Sequence, residues 1–510
     1  MLAGPWPRLG VVAAAVLAAM AILARTDERR AWAMLGALVL APVLLLDDVW
    51  HSTQLRFVHD HPAEALVGAA FALAVLAGAA YVVRRNPWLV APLTALTVPF
   101  RIPISTGSGA TATTNNLLVP LYFVIAAAAL AWLVPVLWRS RAETRSLSPP
   151  REPRPERLLF EKLLAAFIVL YAIQALYSTD FVKALQNEVF FYVPFAILLA
   201  LLRDLDWTRE QLLRCLAVTV VLALAFSLIG YVEEATKHLW LSSKLVASNQ
   251  LHPYFTVNSV FFDPNIFGRY LALVMILLAA VLLYDPRPRI QLASLGALAV
   301  LWVSLVFTIS RSSVVALALG LLVLAVHRWK PRTAVWVSGV VALVIAGGIL
   351  VAIKPADFGL NAGANNATSG RASLITGGLG IFGRRPIQGY GSGSFTREYT
   401  HFDPVAARSV SDSHNIAVTV AAEQGIIGVI VYAALVIAAL VALFRGARGD
   451  PFRVAIAAAF LALLLHTMLY ADFLEDPVTW TLLAIGGSLA VAARAAAVPE
   501  PRRRNLRAVA

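Results

Sequence analysis

Long apolar runs separated by short polar stretches repeat along almost the whole chain. Each run has about 17–22 residues, the length that an α-helix needs to cross the hydrocarbon core of a bilayer. The pattern predicts an all-α, polytopic transmembrane bundle with roughly 14 or 15 helices, and about 12–15 spans as the range. The predicted helices begin near Leu9, Ala31, Ala65, Trp88, Leu117, Leu158, Val189, Leu212, Ile266, Leu292, Val314, Ala334, Asn415, Val454 and Val478.

Arginine and lysine cluster in the polar stretches between these runs. By the positive-inside rule the clusters lie in the cytoplasm, and the intervening loops lie outside. The orientation of the first two spans stays open, because Arg8 and the Arg29-Arg30 pair favour different arrangements. The basic clusters are Arg139 to Arg157, Arg203 to Arg214, Arg287 to Arg289, Arg328 to Arg332, Arg445 to Arg453 and the tail Arg502-Arg503-Arg504.

Two of the predicted outer segments are long enough to carry a function. The first runs from Glu233 to Asp263, and the second, from Lys354 to Ser413, has about 60 residues. In the second segment we expect one or two short helices, followed by a tight turn marked by proline and glycine. The predicted parts are N-terminal spans with a basic cytoplasmic linker (1–157), a core bundle (158–353), a large extracytoplasmic loop (354–413), C-terminal spans (414–497) and a basic tail (498–510).

Composition agrees with a membrane protein and excludes several other classes. Hydrophobic residues make up 59% of the chain and charged residues only 14%, too few to cover a soluble fold of 510 residues. The net charge of +13 comes from short clusters at span ends, so it indicates membrane lipid and no nucleic acid. The single cysteine, Cys215, excludes an intramolecular disulfide and a thiolate metal cluster.

Arginines near the predicted outer ends of spans are candidates for anion binding. Ser310-Arg311 lies where one span ends and the next begins, so its guanidinium either binds phosphate or reaches lipid headgroups. Asp263-Pro264 is an ordinary helix start, with the aspartate as N-cap. Arg269 lies one turn inside the helix that follows, and there it needs a partner or an anionic ligand. Arg371, in the large loop, is by itself an ordinary solvated charge.

The most specific pattern is His414-Asn415, nine further residues, and then Gly425-Ile426-Ile427-Gly428. The histidine either bonds to a loop carbonyl at a helix end, with Asp412 or Ser413 as the cap, or acts as a general base. A helix N-terminus disfavours imidazolium, so the ring is expected to accept a proton near neutral pH. Gly425 and Gly428 would let another helix or an acyl chain approach closely, or serve as packing glycines.

In this order the motifs resemble the O-antigen ligase/polymerase superfamily of bacterial membrane enzymes, over roughly Leu158 to Ala490. The resemblance implies metal-independent glycosyl transfer from an undecaprenyl-diphosphate-linked glycan to a glycan, lipid or protein acceptor. The reaction would need no cofactor and take place at the outer face of the inner membrane. The matching motifs are Tyr177-Ser178-x-Asp180, Phe262-Asp263-Pro264-Asn265, Ser310-Arg311, Arg371, Pro386-Ile387-Gln388-Gly389-Tyr390-Gly391-x-Gly393-x-Phe395 and His414-Asn415-x9-Gly425-x-x-Gly428.

The resemblance also implies roles for single residues. Arg311 and Arg371 match arginines that bind the diphosphate, and His414 matches the base that activates the acceptor hydroxyl. Family members place another arginine about nine residues before the Pro-Asn pair, where this chain has Thr256 and its neighbours; we expect Arg269 to supply that charge. The supporting residues are Ser310, Asn265, Asn415, Gly425 and Gly428.

Three alternatives to a ligase follow from the same sequence. A repeat-unit polymerase uses the same donor and would form a ladder of products. A metal-dependent transferase is suggested by Asp47-Asp48, because paired aspartates can hold a divalent cation. A transporter or flippase of lipid-linked oligosaccharide would show inverted repeats and charges at mid-membrane. The glycan, the acceptor, the role of the first ~150 residues and the oligomeric state do not follow from the sequence.

Overall fold

The computed structural model describes residues 4–50, 56–106, 113–143, 157–241, 245–246, 249–250, 255–330, 333, 371–402, 413–470 and 472–497. Within these residues, twelve helices are long and apolar enough to cross a membrane. The predicted all-α polytopic bundle is therefore confirmed, and the protein is a multi-pass membrane protein. The predicted span near Ala334 falls outside the described residues.

The described chain is almost entirely helical. In order, the helices are α1 (Pro5–Leu23), α2 (Asp27–Val49), α3 (Arg56–Asp60), α4 (Pro62–Arg85), α5 (Val90–Thr97), α6 (Val119–Glu143), α7 (Leu159–Ala175), α8 (Phe181–Asn187), α9 (Val193–Arg203), α10 (Arg209–Thr236), α11 (Pro264–Tyr284), α12 (Pro288–Phe307), α13 (Arg311–Arg328), α14 (Arg371–Arg384), α15 (Phe395–Phe402), α16 (Ile416–Phe444), α17 (Pro451–Leu469) and α18 (Pro477–Ala497). A π-helical stretch, Glu188–Tyr192, joins α8 to α9.

Two features of the N-terminal third differ from the sequence prediction. The apolar run near Trp88 forms only a 3-10 turn, Pro87–Leu89, and the short α5, because Pro99 and the charged Arg101 end the run just after Thr97. The chain then forms an antiparallel hairpin of β1 (Ile102–Thr106) and β2 (Thr113–Leu117), which the helix-based pattern did not predict. The hairpin is a small addition to a helical bundle.

Ion pairs between helix ends identify one end of the bundle. Arg203, at the end of α9, bonds Glu161 of α7 at 3.0 Å, and both side chains are buried. Arg30, near the start of α2, pairs with Asp204 and also donates to the carbonyl of Ala200. We call this the basic end, and it contains Arg29-Arg30. Arg8 lies at the opposite end, where it donates to the carbonyl of Leu176, so the structure orients the first two spans.

The opposite end carries residues 371–402, and we call it the loop end. The described part of the predicted large loop contains α14 and α15, so the expected short helices are present. Their buried side chains, among them Leu374, Ile381, Phe395 and Tyr399, form a small cluster of their own with Ala422 of α16. The segment is therefore an ordered cap on the bundle.

Helix α16 is bent at Gly425, whose φ of 65° and ψ of −164° are not helical. A straight helix of its 29 residues would be about 43 Å long, more than the hydrocarbon core of a bilayer requires. The stretch after Gly425, of about 19 residues, matches the length of one span. The stretch before it, from Ile416, therefore belongs to the loop end together with His414.

Candidate active site at the loop end of the bundle

The connection between α14 and α15, residues 386–394, is clamped between two parts of the bundle; we call it the glycine turn. On one side the amide of Ile426 donates to the carbonyl of Pro386 at 2.7 Å. On the other side the Ser178 hydroxyl donates to the carbonyl of Ser392 at 2.7 Å. The carboxylate of Glu423 accepts from the amides of Gly393 and Phe395, at 2.8 and 3.0 Å. The turn is thus held by α16 and by the segment that follows α7.

Glycines permit this close contact. A Cβ on Gly425 would lie 2.2 Å from the carbonyl oxygen of Ile387, and one on Gly391 would lie 2.3 Å from the Cα of Ser178. Gly425 also has a backbone conformation that is essentially restricted to glycine. Of the two roles that the sequence left open for Gly425, the structure shows packing, because what approaches it is the backbone of the glycine turn. Gly428 instead leaves room for the side chain of Gln424 on the same helix.

His414 lies immediately before α16, in a left-handed backbone conformation with φ of 54°. Asn415 is the N-cap: its Oδ1 accepts from the amide of Val418 at 3.1 Å, so the predicted cap Ser413 does not perform this role. The other predicted cap, Asp412, lies outside the described residues. The Asn415 side chain also donates to the carbonyl of Met468 at 2.9 Å, which ties the start of α16 to the end of α17. Ser413 closes the turn by accepting from the Asn415 amide.

The ring of His414 packs against Tyr470, with 5.2 Å between ring centroids. Tyr470 follows α17, and its hydroxyl donates to Asp263 Oδ2 at 2.7 Å. Burial, followed by the charge of Asp263, raises the pKa of Tyr470 well above its usual value, so the phenol stays protonated as a donor. Asp263 uses its other oxygen to cap α11, at 2.7 Å from the amide of Asn265, as the sequence predicted.

A network of short polar side chains joins α11 to the start of α13. Ser310 is the N-cap residue of α13, and its hydroxyl donates to Asn265 Oδ1 at 2.9 Å. Ser313 lies 2.7 Å from the Ser310 hydroxyl and 3.1 Å from Nε2 of the buried His466. Arg311, the first residue of α13, is partly buried beside this network. Contacts therefore run from His414 through Tyr470, Asp263 and Asn265 to the residue before Arg311.

Arg269, on the second turn of α11, forms an ion pair with Asp476 at 2.8 Å, and both side chains are nearly fully buried. Asp476 also caps α18, accepting from the amide of Val478 at 2.8 Å. The structure thus supplies the partner that the sequence required for Arg269. Asp476-Pro477 has the same form as Asp263-Pro264, so its position at a helix start was predictable, whereas its pairing with Arg269 was not.

Other site residues were missed or are only partly described. Arg371 begins α14, and its side chain, like those of Asp47 and Asp48, lies outside the described part of the structure. Among the described residues, no three His, Cys, Asp and Glu side chains are grouped so that they could hold a metal ion. Sequence reasoning missed His466 and Tyr470; a polar residue inside or just after an apolar run was the only signal.

The part of the chain that carries Ser310, Arg311, Arg371 and His414 matches a known family. Residues 296–433, roughly a quarter of the chain, match the sequence model of the O-antigen ligase family. This match supports the resemblance to the O-antigen ligase superfamily that the motifs indicated. The match is shorter than the resemblance in the motifs, and it leaves out Asn265 and Arg269 on α11. No curated protein and no solved structure matches the chain significantly.

The match supports a general kind of activity. It indicates an enzyme of the O-antigen ligase and polymerase type, which transfers glycosyl groups and has lipid-linked glycan substrates in the membrane. The recognised segment begins within α12 and ends in α16 beyond Gly425 and Gly428, so it contains both sides of the contact between the glycine turn and α16.

Proposed function

We propose that the protein is a ligase-type glycosyltransferase that moves a glycan from undecaprenyl diphosphate to an acceptor hydroxyl at the extracytoplasmic face of the cytoplasmic membrane. The observation that carries the proposal is the chain of contacts between His414 and the start of α13. Through Tyr470 and Asp263 it connects the candidate base with the helix turn that bears Arg311. A base and a phosphate-binding arginine at one end of the bundle suit transfer from a lipid diphosphate.

In the proposed reaction His414 accepts the proton of the acceptor hydroxyl. The hydroxyl oxygen then forms a bond to the anomeric carbon of the donor sugar, and the bond from that carbon to the diphosphate oxygen breaks. The electron pair leaves with the diphosphate, whose charge Arg311, Arg371 and Arg269 neutralise. Attack from the face opposite the leaving group inverts the anomeric configuration. No step uses a metal ion.

An apolar groove of about 440 Å³ offers room for part of the lipid tail. It lies between α10, α11, α17 and α18, and runs from Tyr270, next to Arg269, to Asp285 near the basic end. Its lining is dominated by leucine, valine and alanine side chains. A long hydrocarbon chain entering it would have its diphosphate at the Arg269 end, on the side of the candidate site.

The direct test is transfer by the purified protein in lipid nanodiscs, with undecaprenyl-diphosphate glycan, single acceptors and EDTA. We expect His414→Ala to transfer about 10²–10⁴ times more slowly than the unmodified protein, the usual contribution of a positioned base. His401→Ala is the matched control, because His401 is exposed on α15 of the same end, and its rate should not change. Unchanged transfer by a folded His414→Ala protein would refute the role of the histidine.

The products separate this proposal from its rivals. A single addition to a distinct acceptor supports a ligase, whereas a ladder on the lipid donor supports the polymerase. Transfer that requires Mg²⁺ or Mn²⁺ after chelation supports the metal-dependent enzyme. Movement of intact lipid-linked glycan across the bilayer of proteoliposomes, without transfer, supports the flippase.

A further inference from the structure

A second cavity, of about 130 Å³, lies at the loop end beside the candidate active site. It is separate from the apolar groove, since the two share no lining residue. Its walls come from α7, the π-helical stretch, the glycine turn and α16. It starts at Ile416, two residues after His414, and includes Asp472, two residues after Tyr470. The two segments that carry His414 and Tyr470 therefore both contribute to the wall of the cavity.

Two side chains that line the cavity have buried polar atoms without a hydrogen-bond partner among the described residues. These atoms are the hydroxyl of Tyr432 and Oε1 of Gln424, and the side chains are 5% and 1% exposed. Buried polar groups are nearly always hydrogen-bonded, so atoms of this kind indicate a missing partner. A hydroxyl group entering the cavity could accept from Tyr432 and donate to Gln424.

The other walls of the cavity are suited to hydroxyl groups and unsuited to phosphate. Three carboxylates line it, against the two cations Arg101 and Lys183. Glu475 Oε1 accepts from the Tyr192 hydroxyl at 3.1 Å, and Asn187 donates to the Tyr171 hydroxyl at 2.9 Å. Carboxylates and amides accept from hydroxyl or ammonium groups, while the excess of negative charge repels an anion.

Aromatic rings form the remaining walls of the cavity. Tyr171 and Tyr192 lie edge to face, with 4.7 Å between their centroids. Phe167 lies 6.3 Å from Tyr432, also between centroids. A sugar ring has apolar C–H faces and a polar edge of hydroxyl groups. Aromatic rings can pack against its C–H faces, and the neighbouring fixed polar groups can hydrogen-bond to its hydroxyl groups.

We infer that this cavity binds one sugar ring, neutral or amine-bearing, with Tyr432 and Gln424 as hydrogen-bonding ligands. The inference rests on the proposed function, since it places a sugar of the glycan substrate within reach of His414. Both the donor and the acceptor glycan carry such a ring. The chemistry is the same for the two sources, and kinetics distinguish them.

The first test is binding alone, measured by saturation-transfer NMR on the protein in nanodiscs. The probes are glucose, N-acetylglucosamine and glucosamine, with glucuronate as the anionic comparison. We expect at least one of the first three to bind, glucuronate to bind more weakly, and Tyr432→Phe to weaken binding about three- to tenfold. Tyr231→Phe is the control, because the Tyr231 hydroxyl donates to the carbonyl of Val300, away from the cavity.

Stability provides an independent readout of the same substitution. Tyr432→Phe keeps the ring between Phe167 and Phe473 and removes only a hydroxyl that has no hydrogen-bond partner in the described part of the chain, so the thermal midpoint of the sugar-free protein should stay the same or rise. No binding of any probe sugar, or equal binding by the Tyr432→Phe and unmodified proteins, would overturn the inference and leave a cavity filled with water.

Transfer kinetics then assign the source of the ring. If the Tyr432→Phe protein has a higher KM for the acceptor than the unmodified protein, the cavity binds the acceptor glycan. If its KM for the donor is the one that increases, the cavity binds the donor glycan. If the unmodified protein transfers nothing but binds sugar in a Tyr432-dependent way, the proposed function fails and the sugar site stands.

Discussion

At the scale of single residues, the site depends on side chains that position one another. Tyr470 supports the ring of His414, and Asp263 fixes the Tyr470 hydroxyl while capping α11. Gly268 contributes because it has no side chain. A Cβ at this position would lie 2.7 Å from the Ser313 hydroxyl, so glycine lets α11 and α13 pack closely. These contacts place polar atoms from three separate helices in one network.

The Arg269–Asp476 pair makes a prediction at this scale. Asp476→Asn leaves a buried guanidinium uncompensated, which should lower the free energy of unfolding by about 3–5 kcal/mol. Thermal unfolding in detergent measures the loss. The double variant Arg269→Met, Asp476→Leu should recover much of it, because the charge is removed together with its partner.

Transfer by that double variant tests whether Arg269 contributes to the diphosphate site. We expect stable protein with slower transfer, since the guanidinium that would donate to the leaving diphosphate is gone. Arg328→Ala, at the far end of α13, is the control for loss of an arginine away from the site. Full activity in the double variant would show that Arg269 does not bind the diphosphate and serves only as the ion-pair partner of Asp476.

At the scale of elements, the central feature is the contact between the glycine turn and the bend in α16. The bend frees the carbonyl of Gln424, which accepts from Gln174 of α7 at 3.1 Å, and it presents the amide of Ile426 to Pro386. Glu423, on the turn of helix before the bend, holds the amides of Gly393 and Phe395. The bend therefore links α7, the glycine turn and α16 into one unit beside His414.

Gly425→Ala should disrupt this unit. The new Cβ would meet the Ile387 carbonyl at 2.2 Å in a backbone conformation closed to alanine, which costs about 1–3 kcal/mol even before the clash. We expect a lower thermal midpoint and a large loss of transfer. Gly78→Ala, on α4 with no atom near the new methyl group, should leave both properties unchanged. An active, stable Gly425→Ala protein would contradict the role given to the bend.

At the scale of the whole molecule, the bundle has two chemically different ends. The basic end contains buried ion pairs such as Arg203–Glu161, and the loop end contains His414, Arg311 and the cavity proposed to bind sugar. The apolar groove starts at Tyr270, next to Arg269, and extends toward the basic end. If the basic end faces the cytoplasm, as the positive-inside rule predicts, the candidate site faces the outside.

Cysteine labelling tests this orientation. In a Cys215→Ala background, Thr400→Cys on α15 and Arg448→Cys between α16 and α17 both introduce exposed thiols. We expect a membrane-impermeant maleimide to label Thr400→Cys in intact spheroplasts, and to label Arg448→Cys only after permeabilisation. The opposite pattern would place the candidate site in the cytoplasm and overturn the proposed localisation.

The sequence by itself determined the features that depend on local or one-dimensional patterns. Apolar runs long enough to span a bilayer predicted the bundle, and Asp263-Pro264 predicted the start of α11. The spacing of His414, Asn415, Gly425 and the glycines before them indicated the superfamily. Each of these signals lies within a few tens of residues, so no knowledge of distant contacts was needed.

Only the tertiary structure decided which distant residues meet. Asp476 pairs with Arg269, Tyr470 supports His414, and Gly425 admits the backbone of the glycine turn in place of a lipid chain. Single-sequence periodicity specifies which face of a helix is apolar, but it does not specify which helix lies opposite. In a bundle whose helices are nearly all apolar, the partners of the few buried polar groups are set by packing and become visible only in three dimensions.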